Sequence, residues 1–597
     1  MCGFIGKISS FSHDIENLDK ANETILCRGP DSTKNISTNV DGYDISLIFN
    51  RLSIIDLNEN ADQPMTSGDQ NYILMFNGEI YNHQELRKSL EKQVKFRTSH
   101  SDSEVVLNGL ITHGISFVKE LRGQFSIFFL NKKENTCYLI KDRLGQKPLY
   151  YNLQNNSISF GSNLKSLIKL NKNYVLDDEN INEYFRYGAV AEDKTIFKNY
   201  YKVLPAEIIE IKWSGGIQGF DISSENYWEL ESFVDENNFS SETFFDILTE
   251  SIEIRTNADV PVANFLSGGI DSTSIIKNLY DNNKNVNSFS VRFKDPKYDE
   301  SNWSRMVAEK YKTNHKEVFL SSEINEDVIH DSLSSLDEPY YDPSVIPSYI
   351  LSKEISNHYK VAISGDGGDE LLGGYKRTMD SLKSKSFINN IFSKFYNFYP
   401  PALGTGNKFL SQSSDINTRY RSYLEDMNLL KLLEITPSQR SEYVINIKAQ
   451  YEDYKGLLLS DYRFYLPDMM MFKIDRTSMA NSLEIRSPFV DHKLVEYIMS
   501  TKASYINLNN SKNILKNYLS KDFSNDFLNR DKQGFVFDIE NWIFQNLSML
   551  NETLNTGKVS NYIPANFALK VAKYKSRINS HRIWKLFVLN HYLENLD

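Results

Sequence analysis

Residues 265–272 read Phe-Leu-Ser-Gly-Gly-Ile-Asp-Ser, a glycine-rich stretch at the end of the apolar run 260–266. The apolar run is typical of a buried strand, and the residues after the glycines predict a helix that begins near Thr273. Where a strand turns into a helix, backbone N–H groups and the positive end of the helix dipole face the turn. The stretch therefore predicts a phosphate-binding loop in an α/β domain.

The residue types in this loop suit a nucleotide. Gly268 and Gly269 permit a close approach of backbone to phosphate. Ser267 and Ser272 offer hydroxyl donors, and Asp271 is a hard oxygen ligand of the kind that Mg²⁺ prefers. No lysine follows the glycines, so the loop is not a Walker A motif.

A second glycine-rich loop follows the strand-like run 360–364. Residues 363–370 read Ile-Ser-Gly-Asp-Gly-Gly-Asp-Glu and bring together the carboxylates of Asp366, Asp369 and Glu370. Clustered carboxylates repel one another unless a cation compensates their charge. This loop therefore also predicts a Mg²⁺ site.

The organisation of the chain indicates two domains, because 597 residues exceed the size at which a single core stops growing. Short strand-like runs make the first half sheet-rich, at 45–49, 72–76, 125–130 and 138–140. Polar, turn-prone stretches then predict a connection at 206–238, between domains at 2–205 and 239–597.

The second domain begins with a different pattern. Phe245, Leu248 and Ile252 share one helical face ahead of the glycine-rich loop, and helical spacing dominates after Tyr420. We therefore predict an α/β domain with a mainly helical C-terminal part.

Composition excludes several classes of protein. Hydrophobic residues make up 40% and charged residues 24%, as in ordinary globular proteins, and the net charge of −11 argues against nucleic-acid partners. No apolar run is long enough to cross a bilayer, and the N-terminus lacks a secretory signal pattern, so we expect a cytoplasmic protein with small-molecule substrates.

Three cysteines are too few for a disulfide framework or a thiolate zinc site. We expect Cys27 and Cys137 to be reduced, packed thiols. Removal of Met1 would expose Cys2 as the first residue and place its thiol beside a free α-amino group that can act as its base. Cys2 is therefore a candidate N-terminal nucleophile.

Several stretches of the first half share one resemblance. These stretches lie at 2–6, 28–31, 51–56, 76–82 and 101–104. Together with Cys2 they resemble the class II glutamine amidotransferase domain. This resemblance implies an Ntn-hydrolase αββα sandwich. The resemblance implies that Cys2 attacks the side-chain amide of glutamine. The Asn77 side chain and the Gly78 N–H would form the oxyanion hole.

The same resemblance implies the glutamine-binding residues. The planar fork of Arg51 suits the α-carboxylate of glutamine, while Glu79 and Asp102 offer negative charge to its α-ammonium group. The implied set is Arg51, Leu52, Ser53, Ile54, Ile55, Asn77, Gly78, Glu79 and Asp102. Arg28 would lie near the entrance of an internal ammonia tunnel.

The loop at 265–272 resembles the pyrophosphate loop of the N-type ATP pyrophosphatases. A glutaminase followed by such a loop resembles the glutamine-hydrolysing asparagine synthetase family, and further matching stretches lie at 288–291, 337–339, 475–480 and 484–491. This resemblance implies that ATP adenylates the side-chain carboxylate of aspartate. Ammonia from glutamine would then form asparagine and release AMP.

The family resemblance also implies the residues of the ATP site. Asp271 and Asp369 would hold Mg²⁺ on the pyrophosphate, and Lys512 would lie near the reacting phosphate. The implied nucleotide-binding set is Leu266, Ser267, Gly268, Gly269, Asp271, Ser272, Val291, Ser364 and Gly365. The resemblance further implies a tendency to form homodimers.

Asp366 departs from the family pattern, because many members carry a glutamate at this position of the second loop. The shorter side chain leaves the acceptor open, and a sugar uronic acid amidated in surface-polysaccharide biosynthesis is the alternative to aspartate. A second alternative, from another class, is a catalytically silent regulator that only binds nucleotide or glutamine.

Overall fold

A computed structural model describes residues 2–10, 15–154, 156–214, 217–293, 299–320, 326–383, 385, 387–436, 453–505, 510–530 and 538–596. Its strands are β1 Gly3–Ser9, β2 Ser32–Val40, β3 Tyr43–Arg51, β4 Met65–Thr66, β5 Tyr72–Ile80, β6 Gly123–Asn131, β7 Thr136–Lys141, β8 Tyr150–Gln154, β9 Ser157–Gly161, β10 Tyr200–Lys202, β11 Glu207–Ser214, β12 Ile217–Asn226, β13 Val262–Phe265, β14 Asn287–Phe293, β15 Asn314–Leu320, β16 Val361–Ile363 and β17 Glu484–Arg486.

Its α-helices are α1 Ile15–Glu23, α2 His83–Leu90, α3 Asp102–His113, α4 Leu164–Asn171, α5 Asp178–Tyr187, α6 Ser241–Thr256, α7 Ile270–Asp281, α8 Ser301–Lys310, α9 Glu326–Ser334, α10 Val345–Ser356, α11 Gly368–Leu372, α12 Lys376–Leu382, α13 Phe387–Ser393, α14 Asn407–Leu410, α15 Ile416–Arg421, α16 Met427–Leu432, α17 Asp453–Ser460, α18 Phe472–Met479, α19 His492–Ser500, α20 Asn513–Leu519, α21 Asn525–Asn529, α22 Ile539–Gln545, α23 Leu547–Thr556, α24 Phe567–Ala572 and α25 Arg577–Glu594.

The N-terminal half is a four-layer αββα sandwich. One six-stranded antiparallel sheet has the order β10-β8-β9-β1-β3-β2, and the other has the order β12-β11-β7-β6-β5-β4. Side chains of β1 and β3 pack on those of β5 and β6 between the sheets. Helices α1 and α4 cover the first sheet, and α2 and α3 cover the second. The predicted sandwich and the four predicted strand runs are confirmed.

Two strands lie within the predicted connection at 206–238. Residues 207–214 form β11 and residues 217–226 form β12, and the two strands extend the second sheet beyond β7. Ile209, Ile211 and Trp213 of β11 are buried between the sheets, as a period of two requires. Strand β12 is an edge strand. Its exposed polar side chains give this stretch the sequence pattern of a linker.

The C-terminal half is built on a five-stranded parallel sheet in the order β15-β14-β13-β16-β17. Helix α7 begins at Ile270, three residues before the predicted start, because Gly269 is its N-cap and already accepts a bond from the Thr273 N–H. Strands β13 and β16 are neighbours. The two glycine-rich loops therefore meet at one edge of the sheet, where α/β proteins bind ligands.

The two halves share a hydrophobic core. Tyr184 and Phe185 of α5 pack with Trp584 and Leu589 of the long C-terminal helix α25. The described residues after Tyr420 are mainly helical, as predicted. Within the described part of the chain, no helix has the length and apolar character needed to span a membrane.

Candidate active sites

Cys2 lies directly before β1, buried between the two sheets of the N-terminal half. Its backbone N–H donates to the Asn77 Oδ1 atom at 3.0 Å. Burial raises the pKa of the Cys2 thiol. A thiol of this kind needs a base before it becomes a nucleophile.

Gly78 of β5 lies so close to the neighbouring strand β6 that it has no room for a side chain. Gly78 has a φ of 154°, and a Cβ atom there would lie 2.0 Å from the Gln124 carbonyl oxygen of β6. Only glycine fits this position. Asn77, fully buried, places its side chain between the Cys2 amide and Ser126 Oγ. The predicted oxyanion residues thus lie next to the predicted nucleophile.

Arg51 holds the loop that follows β3. Its Nη1 atom donates to Asp62 Oδ1 at 2.8 Å, and its Nη2 atom donates to the Asp56 carbonyl oxygen at 2.5 Å. The adjoining residues Leu52 and Ile54 pack against residues of the C-terminal half. Ser53 and Ile55 of the same implied set are half-buried. The predicted glutamine-binding loop therefore lies at the boundary between the halves.

Both predicted glutamine-binding carboxylates are buried. Asp102 begins α3, and its Oδ2 atom accepts a bond from the Ile80 N–H at 3.2 Å. Glu79 on β5 accepts a bond from Arg486 Nη2 at 2.9 Å. Burial raises the pKa of both carboxyl groups, and Glu484 raises each further. A positively charged substrate group would relieve this clustering of negative charge.

Arg28 connects Cys2 to the other half of the molecule. Its Nε atom donates to the Cys2 carbonyl oxygen at 3.1 Å, and its two Nη atoms donate to Asp475 of α18. Burial opposes ionisation of Asp475, but the charges of Arg28, Lys147 and Arg476 outweigh it and lower the pKa of Asp475 to about 2. Asp475 is therefore ionised at neutral pH.

A small cavity lies beside this ion pair. It reaches from β6 of the N-terminal half to the residue after β17, and its lining contains side chains of both halves: Gln124, Gln146, Lys147, Met471, Ile474, Asp475, Ile485 and Ser487. Ser487 is 3.0 Å from Ser364 across their hydroxyl oxygens. The cavity thus lies between the region of Cys2 and the second glycine-rich loop.

The first glycine-rich loop is held by its own hydroxyl groups. Ser267 Oγ accepts a bond from the Gly269 N–H at 3.2 Å and lies 3.2 Å from Ser272 Oγ. Gly268 has a φ of 72°, and a Cβ atom there would lie 2.7 Å from the Ser304 nitrogen. Leu266 is buried, and its backbone N–H donates to the Phe289 carbonyl oxygen of β14. Hydrogen bonds and close packing within the protein therefore fix the backbone path of this loop.

The second loop packs on the first. A Cβ atom at Gly365 would lie 2.9 Å from the Ser272 nitrogen, and one at Gly368 would lie 2.6 Å from Asp271 Oδ1. Ser364, directly after β16, and Val291, within β14, are buried, and Asp366 is half-buried in the loop.

Lys512 joins the acidic residues of the two loops. Its Nζ atom lies 2.5 Å from Asp271 Oδ2 and 2.5 Å from Asp369 Oδ1. Two carboxylates at a phosphate-binding loop fit Mg²⁺, which commonly takes one or two protein carboxylates and completes its shell with phosphate and water. Among the residues that the structure describes, no group of three or more His, Cys, Asp or Glu side chains forms a metal site.

Four contributing residues were not assigned a role from sequence. Arg530 donates to the Gly268 carbonyl oxygen at 2.8 Å, and a Cβ atom at Gly374 would lie 2.1 Å from Asp369 Oδ1. Asp475 and Arg486 lie in stretches that matched the family, but their partners are hundreds of residues away in sequence. Cys27, expected to be packed, is exposed, whereas Cys137 is buried.

Comparison with known protein families and proteins gives matches along the chain. The asparagine synthase family profile matches residues 243–594, and the profile of the glutamine amidotransferase domain matches residues 1–228. Asparagine synthetase 1 (glutamine-hydrolysing) of Bacillus subtilis is 28% identical over 98% of this chain and 96% of its own length. Asparagine synthetase 3 of Bacillus subtilis is 26% identical over 90% of this chain and 87% of its own.

A solved structure of glutamine phosphoribosylpyrophosphate amidotransferase from B. subtilis, complexed with ADP and GMP, covers 62% of this chain and 77% of its own. It is 12% identical with a TM-score of 0.29, which is too low to support an argument.

Proposed function

The chain belongs to the asparagine synthase family and carries a glutamine amidotransferase domain, and on that premise we propose that it is a glutamine-hydrolysing asparagine synthase. The proposed reaction converts aspartate, glutamine, ATP and water into asparagine, glutamate, AMP and diphosphate. The observation that carries the proposal is Arg28, which bonds to Cys2 in one half and to Asp475 in the other, beside a cavity that both halves line.

The first step takes place at Cys2. After removal of Met1, the free α-amino group accepts the thiol proton, and the sulfur attacks the side-chain carbonyl carbon of glutamine. Asn77 and the Gly78 N–H stabilise the oxyanion. Ammonia leaves, and water hydrolyses the glutamyl thioester to glutamate and restores the thiol. The contact between Cys2 and Asn77 supports these roles.

Ammonia then moves between the halves. Free in water at neutral pH it would be protonated and lose its nucleophilic lone pair, so an enclosed route preserves it. The cavity between Gln124 and Ser487 supports such a route, with Arg28 at the glutaminase end.

The second site activates the acceptor. A carboxylate oxygen of aspartate attacks the α-phosphorus of ATP, diphosphate leaves, and β-aspartyl-AMP forms. Ammonia attacks the acyl carbon and AMP leaves. Asp271 and Asp369 would hold Mg²⁺, which supplies positive charge to the diphosphate when bound. Lys512 contributes a further positive charge beside them, and Ser267 and Ser272 donate hydroxyl groups.

Asp366 favours a second candidate acceptor within the same chemistry. Its side chain is one methylene shorter than the glutamate of many family members, so the acceptor stays open and a sugar uronic acid is the alternative to aspartate. The glutaminase and adenylation steps would be unchanged.

Product analysis tests the proposal and separates its alternatives. The purified, Met1-processed chain is given glutamine, ATP, Mg²⁺ and aspartate, and we expect asparagine, AMP and diphosphate in equal amounts. Glutamate without asparagine or AMP would reject aspartate and direct the assay to uronic acids. Neither glutamate nor AMP with any acceptor would indicate a silent regulator. A cytoplasmic location and a homodimer remain proposals, which fractionation and light scattering would test.

A further inference from the structure

Strand β17 belongs to the synthetase half, yet its side chains lie against the glutaminase half. Arg486 and Glu484 are both 0% exposed. Arg486 donates from Nε to Glu484 Oε1 at 2.6 Å and from Nη2 to Glu79 Oε2 at 2.9 Å. Glu79 lies on β5, directly after the predicted oxyanion residues. One residue of the synthetase sheet therefore contacts a predicted glutamine-binding carboxylate.

The orientation of Arg486 is fixed from its other side. Its Nη1 atom donates to the Asn257 carbonyl oxygen at 2.6 Å and to the Arg255 carbonyl oxygen at 3.1 Å. A guanidinium group is planar, so bonds on both sides determine where its remaining donors point. The position of the Glu79 carboxylate is therefore set by backbone and side chains of the synthetase half.

The charges around Glu79 favour a cation. The negative charges of Glu79, Asp102 and Glu484 repel one another. The positive charge of Arg486 attracts Glu79 and Glu484, and that of Lys147 attracts Glu484. Buried carboxylates are stabilised by cationic partners. In glutamine the group that carries a positive charge is the α-ammonium group.

We propose that Arg486 and Glu484 are positioning residues of the glutaminase site, supplied by the synthetase half. Arg486 holds Glu79 in the orientation that receives the α-ammonium group of glutamine, and Glu484 holds Arg486. This inference rests on the proposed function, since it takes Glu79 as a glutamine-binding residue.

The same strand also supports the nucleotide loop. The Arg486 carbonyl oxygen accepts a bond from the Ser364 N–H at 3.0 Å, and Ser487 contacts the Ser364 hydroxyl group. A single short strand thus positions a glutamine-binding carboxylate through its side chain and an ATP loop through its backbone.

The experiment compares two amide substrates in the full-length enzyme. Glutamine carries an α-ammonium group, whereas glutaramate is the same amide without it. We expect Arg486→Lys to lower the preference for glutamine over glutaramate about tenfold in kcat/KM, mainly through a higher KM for glutamine. Hydrolysis of glutaramate should stay within about threefold, because the nucleophile and the oxyanion residues are unchanged.

Arg122→Lys is the matched control. Arg122 is also buried and also crosses to the synthetase half, where its Nε atom lies 3.1 Å from Asp491 Oδ2. This variant should keep the preference of the parent enzyme. If Arg486→Lys does not fold, Glu484→Gln carries the test, since it leaves Arg486 and its backbone bonds in place.

Two results would overturn the inference: an unchanged preference in the folded variant, or an equal loss on both substrates, which would mean a purely structural role. Failure of the proposed function has a different signature, because the parent enzyme would then release no glutamate from glutamine, or Cys2→Ala would release it at the parent rate.

Discussion

Arg28 donates to both carboxylate oxygens of Asp475, at 2.8 Å and 3.1 Å, although 447 residues separate the two in sequence. The same arginine donates to the carbonyl oxygen of Cys2. A paired guanidinium and carboxylate form two parallel bonds that fix orientation as well as distance. The backbone of the predicted nucleophile is therefore tied to a helix of the synthetase half.

Arg28→Gln should uncouple the two sites. Loss of the bidentate pair leaves Asp475 with less compensation and frees the Cys2 carbonyl group, so ammonia should escape to solvent. We expect the ratio of asparagine formed to glutamate formed to fall several-fold, while synthesis from added ammonium stays within about twofold. Arg28→Lys keeps the charge and should lose less. An unchanged ratio in Arg28→Gln would remove the coupling role.

Cys2→Ala should abolish the use of glutamine, because no other nucleophile is assigned to that site. The proposed adenylation site lies in the other half, so synthesis from added ammonium should persist. Glutamate release and ammonium-dependent AMP release measure the two activities separately. Loss of both in a folded protein would contradict their independence.

Asp271→Asn should have the opposite effect. The substitution removes one of the two carboxylates that Lys512 joins, and with it the charge that a metal ion needs. ATP-dependent synthesis should fall at least a hundredfold, while glutamine hydrolysis continues. The metal role would be rejected if AMP release kept its rate and its Mg²⁺ dependence.

Gly374→Ala should impair the ATP site through sterics alone. The added Cβ atom would lie 2.1 Å from Asp369 Oδ1 and 2.3 Å from Lys512 Cε, so the ion pair must move. We expect at least a tenfold loss of ammonium-dependent synthesis with little change in glutaminase rate. Gly68→Ala is the control, because nothing lies within 4 Å of a Cβ atom at that position. Equal activity of the two variants would contradict this geometry.

Glu370 should make the stability of the chain depend on pH. Burial, with further contributions from Asp369 and Asp461, raises the pKa of Glu370 to about 7 from its usual 4.5. Between these values the folded chain keeps a proton that the unfolded chain has lost, so stability falls as pH rises from about 4.5 to 7. Above pH 7 this loss is complete.

Glu370→Gln cannot lose that proton, so its stability should decline less over the same window. The difference between variant and parent should grow in favour of the variant by about 3 kcal/mol between pH 4.5 and 7.5. Urea midpoints at several pH values measure it, and Glu338, whose pKa is also raised to about 7, contributes equally to both proteins. Parallel stability curves would contradict the raised pKa.

The sequence was sufficient to predict the structural features that depend on residues close together in the chain. The strand-to-helix transition around Gly268 and Gly269, the carboxylates of the second loop and the alternating strands of the first half are all encoded within short windows. Hydrophobic periodicity and glycine positions act over a few residues, so they predict element type and loop chemistry.

Periodicity was insufficient where an edge strand carries polar side chains. Strand β12 exposes one face to solvent, so its sequence is typical of a linker although its backbone pairs with β11. Its membership in a sheet depends on a partner strand, which a local window does not contain.

By itself, therefore, the sequence predicted the two kinds of domain and many of the residues of each candidate site. Only the tertiary structure decided how the sites are joined: Arg28 to Asp475, Glu79 to Arg486, and Asp271 to Asp369 through Lys512. The physical reason is that charge compensation in a buried interior depends on distance in space. Residues hundreds of positions apart become partners only when the two halves pack.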